Sequence, residues 1–188
     1  MREYVSVLLP LLDGTPVNVK GDTLSANIGL STPRAGRVPV LLAALAPRML
    51  ALAGQQTDGT VLWMTGPGTV RDYVVPAISA AASAAGRPSP RVVCSLPVCV
   101  TSDPDGARAG AAKTFSIYGQ LPSYRAMLDR EGAAGPADVA IVGDEDAVAA
   151  QIQALGEAGV TDFVAAEFAR GEDRDRTRNL LKAVISAS

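Results

Sequence analysis

The chain has 188 residues, of which 48% are hydrophobic and 19% charged, with a formal net charge of −2. That is enough chain for one domain (1–188) with a buried core, too apolar for a disordered segment, and without the basic excess of a nucleic-acid binder. Its apolar runs fall short of the ~18 residues of a membrane span, and it has no histidine, which removes the commonest general base and zinc ligand and excludes a self-contained Ser-His-Asp or Cys-His enzyme.

The apolar spacing of Val5, Leu8, Leu9 and Leu12 predicts an amphipathic helix over Arg2–Leu12, with Pro10 set to kink it or end it early. The same stretch carries an acidic residue beside its arginine and no small-residue cleavage site, so no secretory leader is read and a cytoplasmic location is expected. Alternation around Gly21-Asp22 predicts a small hairpin or extended loop within Gly14–Leu30, and STPRAGR reads as a loop. A rhythm of strand and helix follows. The expected pairs are Val38–Leu45 with Pro47–Gln56, and Thr60–Thr65 with Thr69–Ala85, where Pro76 marks a kink or break. Arg91–Val100 then leads to a long helix from near Asp103 that resumes past Pro122. A further helix runs from a cap at Asp144 to a stop at Gly159. Last come a strand over Asp162–Phe168 and a helix over Asp173–Ile185. Near-continuous apolar strands alternating with helices mean parallel βα units buried on both faces, four of them by this reading. Cys94 and Cys99 share a strand on opposite faces, roughly 16 Å apart at ~3.3 Å per residue, and are expected to be free buried thiols.

In parallel α/β folds ligands gather at the carboxyl ends of strands. The residues there are Ala43 to Arg48, Thr65 to Val70, TSDPDGA after the third strand, and Glu167 with Arg170 after the fourth. Two of these turns have the form of phosphate sites. Small Ala44 and Ala46 precede Pro47, which sacrifices no hydrogen bond at a helix start. Gly66 and Gly68 permit close backbone approach, with Thr69 expected to cap the next helix and leave free N–H groups. Gly- and Pro-bearing turns close most βα loops, so a purely structural role competes with this reading. Glu167 is a pocket base or a solvated loop carboxylate, and Trp63 fills core or walls a flat ring.

These stretches together resemble the luciferase-like monooxygenase family, in its deazaflavin-dependent, coenzyme F-420-using branch. The matching text is MREYVSVLLPLLDGTPVNVKGD, PVLLAALAPRMLALAGQQTDGTVLWMTGP, YGQLPSYRAMLDREG and PADVAIVGDEDAVAAQIQALGEAGVTDFVAA. The resemblance implies a (β/α)8 barrel of which this chain carries the second half, truncated at the N-terminus. It implies an oxidoreductase that passes hydride between a deazaflavin (coenzyme F-420, or alternatively FMN) and a small organic substrate, and a homodimer. It places the phosphate-bearing side of the cofactor on Ala44, Leu45, Ala46 and Pro47, with Thr65, Gly66 and Gly68 beside it; no catalytic residue and no metal ligand is assigned. Because the family's first half supplies most of the pocket around the reactive ring, little activity is expected of these residues alone. Two alternatives follow: a non-catalytic half-barrel that self-associates through its open interior, and a complete doubly wound domain, which would need a reversal of strand order.

Overall fold

The computed structural model describes residues 1–32 and 36–187. Helix α1 (Arg2–Leu12) runs through Pro10 and ends at Leu12. It buries Val5 completely and leans Leu9 on the main core. The expected hairpin forms as β1 (Val17–Lys20) and β2 (Ser25–Ile28), with Val17 opposite Ile28 and Lys20 opposite Ser25. Its turn is pinned from α1: the Glu3 carboxylate accepts hydrogen bonds from the backbone N–H groups of Asp22, Thr23 and Leu24 and from the Thr23 hydroxyl. Those donors, the Thr23 hydroxyl first, hold the Glu3 pKa down at about 2. The loop expected over residues 31–37 falls partly on residues 33–35, outside the described residues.

The main sheet is parallel. Strands β3 (Leu41–Ala43), β4 (Gly59–Trp63) and β5 (Arg91–Val100) pair in that order. Strand β7 (Asp162–Glu167) pairs along Val93–Val98 of β5. One strand is additional to the four expected: β6 (Ile141–Gly143), paired with Val98–Val100. Within a strand, the N–H and C=O of one residue point to the same edge. Bonds at odd-numbered residues, Arg91 N–H to Asp58 O and Thr101 N–H to Gly143 O, therefore put β4 and β6 end to end on one edge of β5. The Phe168 N–H to Val98 O bond puts β7 on the other. So the ladder of long-range neighbours is β3-β4-β5-β7, in chain order, with β6 filling the part of one edge that β4 does not reach. Strand order never reverses, so the switch point that a doubly wound domain needs is not formed.

Helices α2 (Pro47–Gln56), α4 (Val75–Ala84), α7 (Glu145–Glu157) and α8 (Gly171–Ala187) cover one face. Register places Leu42, Leu62, Cys94, Leu96 and Val98 on that face, all nearly or fully buried against Leu50, Ile78, Val148 and Leu155. The opposite face carries Ala43, Val61, Trp63, Val93, Ser95 and Val164. Its upper part, toward the strands' carboxyl ends, is covered by α5 (Pro104–Thr114) and the 3-10 turn Ser116–Gly119, through Ala111, Phe115 and Tyr118. Its lower part is open: Val61 is 36% and Val164 51% exposed. Cys94 and Cys99 lie on opposite faces, free and buried, as their spacing predicts.

Boundaries shift for local reasons. β3 is shorter than Val38–Leu45 because Val40 is held by Asp58, its N–H donating to the carboxylate and its C=O accepting from the Asp58 N–H. β4 stops at Trp63, since Met64 turns to φ 53°. The helix expected from Thr69 starts at Pro67, with Gly66 as its extended cap residue, so Thr69 is not the cap. It runs as α3 (Pro67–Thr69), a π-helical turn (Val70–Val74) and α4. Pro76 does not break it. Proline has no N–H for the carbonyl four residues back, and a wider turn absorbs that defect just ahead of it. Asp103 caps α5 through Gly106 N–H, and Asp144 caps α7 through Ala147 N–H, as expected. The chain resumes as α6 (Pro122–Glu131) past the break at Pro122. α8 begins at Gly171, two residues before the expected start.

Candidate functional site

Both small-residue turns lie at the same end of the sheet, after the paired strands β3 and β4. In the first, Ala44 is buried, Leu45 half-buried, and Ala46 and Pro47 exposed. The Thr60 hydroxyl fixes its approach, 2.9 Å from Leu42 O and 3.3 Å from Ala44 O. From the neighbouring turn, Tyr73 donates its hydroxyl to Leu45 O at 3.1 Å. Ala46 is the cap residue of α2, in extended backbone (φ −81°, ψ 152°), and no side chain caps this helix. Pro47 has no N–H and the Met49 N–H donates to Ala46 O at 3.0 Å, so the Arg48 N–H is the first-turn donor left without a partner among the described residues, at the positive end of a ten-residue helix.

The second turn is built differently. The Glu131 carboxylate, at the end of α6, sits across it and accepts from Gly68 N–H at 3.0 Å and Thr69 N–H at 2.6 Å. The Thr69 hydroxyl donates to Met127 O on the same helix. A Cβ on Gly66 would stand 2.3 Å from the Glu131 carboxyl carbon, so glycine is needed here to admit the carboxylate. Beneath the turn, the Cys94 thiol points to Thr65 O at 3.5 Å. Burial, helped by the Glu131 charge, pushes that thiol up to about 12. Met64, fully buried and in the left-handed region, joins strand to turn; a non-glycine residue there carries backbone strain.

Trp63 lies edge-on to Phe115 and Tyr118 at ring separations of 5.9 and 5.6 Å, and Tyr118 meets Tyr124 at 5.0 Å. It is therefore packed core at the mouth of the sheet, although its indole N–H finds no acceptor among the described residues. Glu167 is a structural carboxylate: it holds Arg178 at 2.7 and 3.0 Å on the helix-covered face. Arg170 stands in the β7–α8 connection and lines a separate cavity. Among the described residues, no group of three or more His, Cys, Asp or Glu side chains could hold a metal ion, and no helix is long and apolar enough to cross a membrane.

The structure thus brings Ala44–Pro47 and Thr65–Gly68 side by side, and separates them chemically. One helix start is open, and the other holds a carboxylate from this same chain. Glu131 and Tyr73, which make that difference, carry no linear signal: Glu131 lies 63 residues from Gly68.

Comparison with known proteins gives a consistent set of likenesses. The model of the family described as luciferase-like monooxygenase matches residues 1–162. A 5,10-methylenetetrahydromethanopterin reductase of Methanolobus tindarius is 30% identical over 134 residues, covering 70% of this chain and 40% of that protein. The reductase of the same name from Methanopyrus kandleri is 27% identical over 196 residues, covering 87% of this chain and 55% of that protein. Among solved structures, an F-420-dependent secondary alcohol dehydrogenase superposes with a TM-score of 0.76 at 22% identity, covering 97% of this chain and 60% of that one. The FMN-bound oxygenating constituent of 3,6-diketocamphane monooxygenase from Pseudomonas putida superposes at 0.62 with 18% identity, covering 88% of this chain and 55% of that one. The chain spans about half the length of the curated relatives it matches, and its fold is part of their (β/α)8 barrel.

Proposed function

The chain belongs to the luciferase-like monooxygenase family, and we propose that it supplies the tail-binding half of an F-420- or FMN-dependent oxidoreductase acting on a small organic substrate. The observation that carries this reading is the open start of α2 at Ala46, beside a second helix start that already holds a carboxylate. A phosphate group needs backbone N–H donors, a positive helix end and no side chain in the way. In this reading Ala44, Leu45, Ala46 and Pro47 form the small-residue turn that leads to the positive end of α2 and leaves the Arg48 N–H uncovered by any side-chain cap. Thr65, Gly66 and Gly68 form the adjoining wall, their own N–H groups engaged by Glu131. The bound cofactor would carry the hydride chemistry. This chain's residues bind and orient its phosphate-bearing end.

Since the chain spans about half the length of these relatives, turnover in this reading belongs to the whole barrel, and these residues alone support little. The test is equilibrium binding of F-420 and of FMN to the 188-residue chain, followed by Trp63 fluorescence. Saturable binding of either that is lost when phosphate is absent from the ligand supports the reading. Equal binding of the dephosphorylated ligand refutes it.

A second reading, a non-catalytic half-barrel that self-associates, is favoured by the exposed Val61 and Val164 and by the unpaired outer edges of β3 and β7 among the described residues. A monomer by light scattering at all concentrations would rule it out.

A further inference from the structure

A cavity of about 620 Å³ lies at the carboxyl ends of β5 and β7, between α5 and the β7–α8 connection. It is apart from both small-residue turns and is within the ~300–1,000 Å³ size range of small-ligand pockets. Four charged side chains line it: Asp103, Lys113, Arg170 and Asp173. The two acids are already engaged. Asp103 caps α5 by accepting from Gly106 N–H at 3.0 Å, and Asp173 stands 3.5 Å from Arg176. The two bases are not. Arg174, Arg176 and Arg178 share Glu167, Glu145 and Asp173 among them. Arg170 and Lys113 have no hydrogen-bond or ion-pair partner among the described residues.

A third donor comes from Thr101, which is 4% exposed at the cavity wall. Its hydroxyl oxygen accepts from Asp103 N–H at 3.1 Å and its proton has no acceptor among the described residues. The cavity's carboxylates are thus each partly offset, Asp103 by the start of α5 and Asp173 by Arg176, whereas its two cations are not, which favours a negatively charged partner that accepts from them and from the Thr101 hydroxyl. Ala107, Phe168 and Ala169 supply an apolar wall beside them, which suits an organic body rather than a bare ion.

We propose that this cavity binds a small organic oxyanion, a carboxylate or phosphate ester with a short apolar body, held by Lys113, Arg170 and the Thr101 hydroxyl. The site does not rest on the cofactor reading, because its residues belong to different loops.

The experiment is an amide-shift titration of the 15N-labelled full chain with benzoate, benzyl alcohol and inorganic phosphate. Benzoate is expected to shift the Thr101, Gly110 and Ala169 amides saturably, with a Kd at least about tenfold below that of benzyl alcohol and of inorganic phosphate. Lys113→Met and Arg170→Met, both at exposed positions and with thermal unfolding checked, should each raise the benzoate Kd severalfold. The double variant should raise it about tenfold or more. Equal binding of benzyl alcohol, or an unchanged Kd in the folded double variant, overturns the oxyanion site. Inorganic phosphate binding as tightly as benzoate overturns the organic body. Ala46→Asp should leave all three titrations unchanged, so a failed cofactor site and a failed cavity site give different results.

Discussion

Replacing Ala46 by aspartate sets stability against binding at one position. Ala46 has the extended backbone of a cap residue and its helix has no side-chain cap. A carboxylate there reaches the N–H of Arg48, the first-turn donor without a partner among the described residues, and caps of this kind contribute about 1 kcal/mol. For a domain of this size that raises Tm by about 2–4 °C. The same carboxylate occupies the donors that a phosphate would use and repels its charge. Charge-assisted bonds to N–H groups are worth about 1.5–3 kcal/mol, so cofactor affinity should fall about 10- to 100-fold. Ala46→Asn separates the two effects: it caps the helix without the charge and should weaken binding less than aspartate does. The assays are thermal unfolding and fluorescence titration with F-420 and FMN. A stabilised Ala46→Asp variant that binds as tightly as the parent would show that phosphate does not sit on α2. A variant that is not stabilised would show that the Arg48 N–H is already engaged.

Glu131→Ala removes a carboxylate from two backbone donors and should cost about 1.5–3 kcal/mol in denaturant unfolding; a loss under about 0.5 kcal/mol would mean that water replaces it freely. Gly66→Ala pushes the same carboxylate away, so the double variant should cost little more than either single change, and full additivity would deny the coupling. With its pKa raised to about 12, Cys94 should resist disulfide reagents at pH 8 until the chain unfolds; rapid labelling of the native protein would contradict the buried packing. Glu3, held at about 2 against an ordinary 4.5, contributes stability that is complete above about pH 4.5 and is lost as pH falls through about 2. The Thr23 amide resonance should follow that loss, and an inflection near 4.5 would show that the hairpin turn is not gripped.

What the sequence showed and what it hid divide along contact range. The four-strand ladder was legible because β3, β4, β5 and β7 are apolar runs separated by helical periodicity. The caps at Asp103 and Asp144 were legible because a cap acts on residues three positions away. The helix start at Pro67 is hidden by local competition. In TGPGT both Pro67 and Thr69 are credible openers, and proline wins because the first position has no N–H to lose. β6 escaped because three residues between a 3-10 turn and a helix cap show no periodicity. The two turns could be proposed as a pair, yet nothing local distinguished them. That distinction depends on Glu131, delivered by α6 from a distant part of the chain.

The sheet itself limits what these residues can do alone. A doubly wound domain buries both sheet faces with helices, whereas here helices cover one face and α5 covers only the upper part of the other. Val61 and Val164 face the open lower part, and the outer edges of β3 and β7 are unpaired among the described residues. In an eight-stranded barrel that face is the interior, filled by side chains from all the strands, and both edges are consumed by closure. Four parallel strands paired in chain order are what half of such a ladder must look like. The α2 start and the cavity lined by Thr101, Lys113 and Arg170 both sit at the carboxyl end of this half, on residues that its own core already holds in place. The proposed binding end is thus preformed while the barrel interior is not, which is why binding, rather than turnover, is the property to measure on these 188 residues.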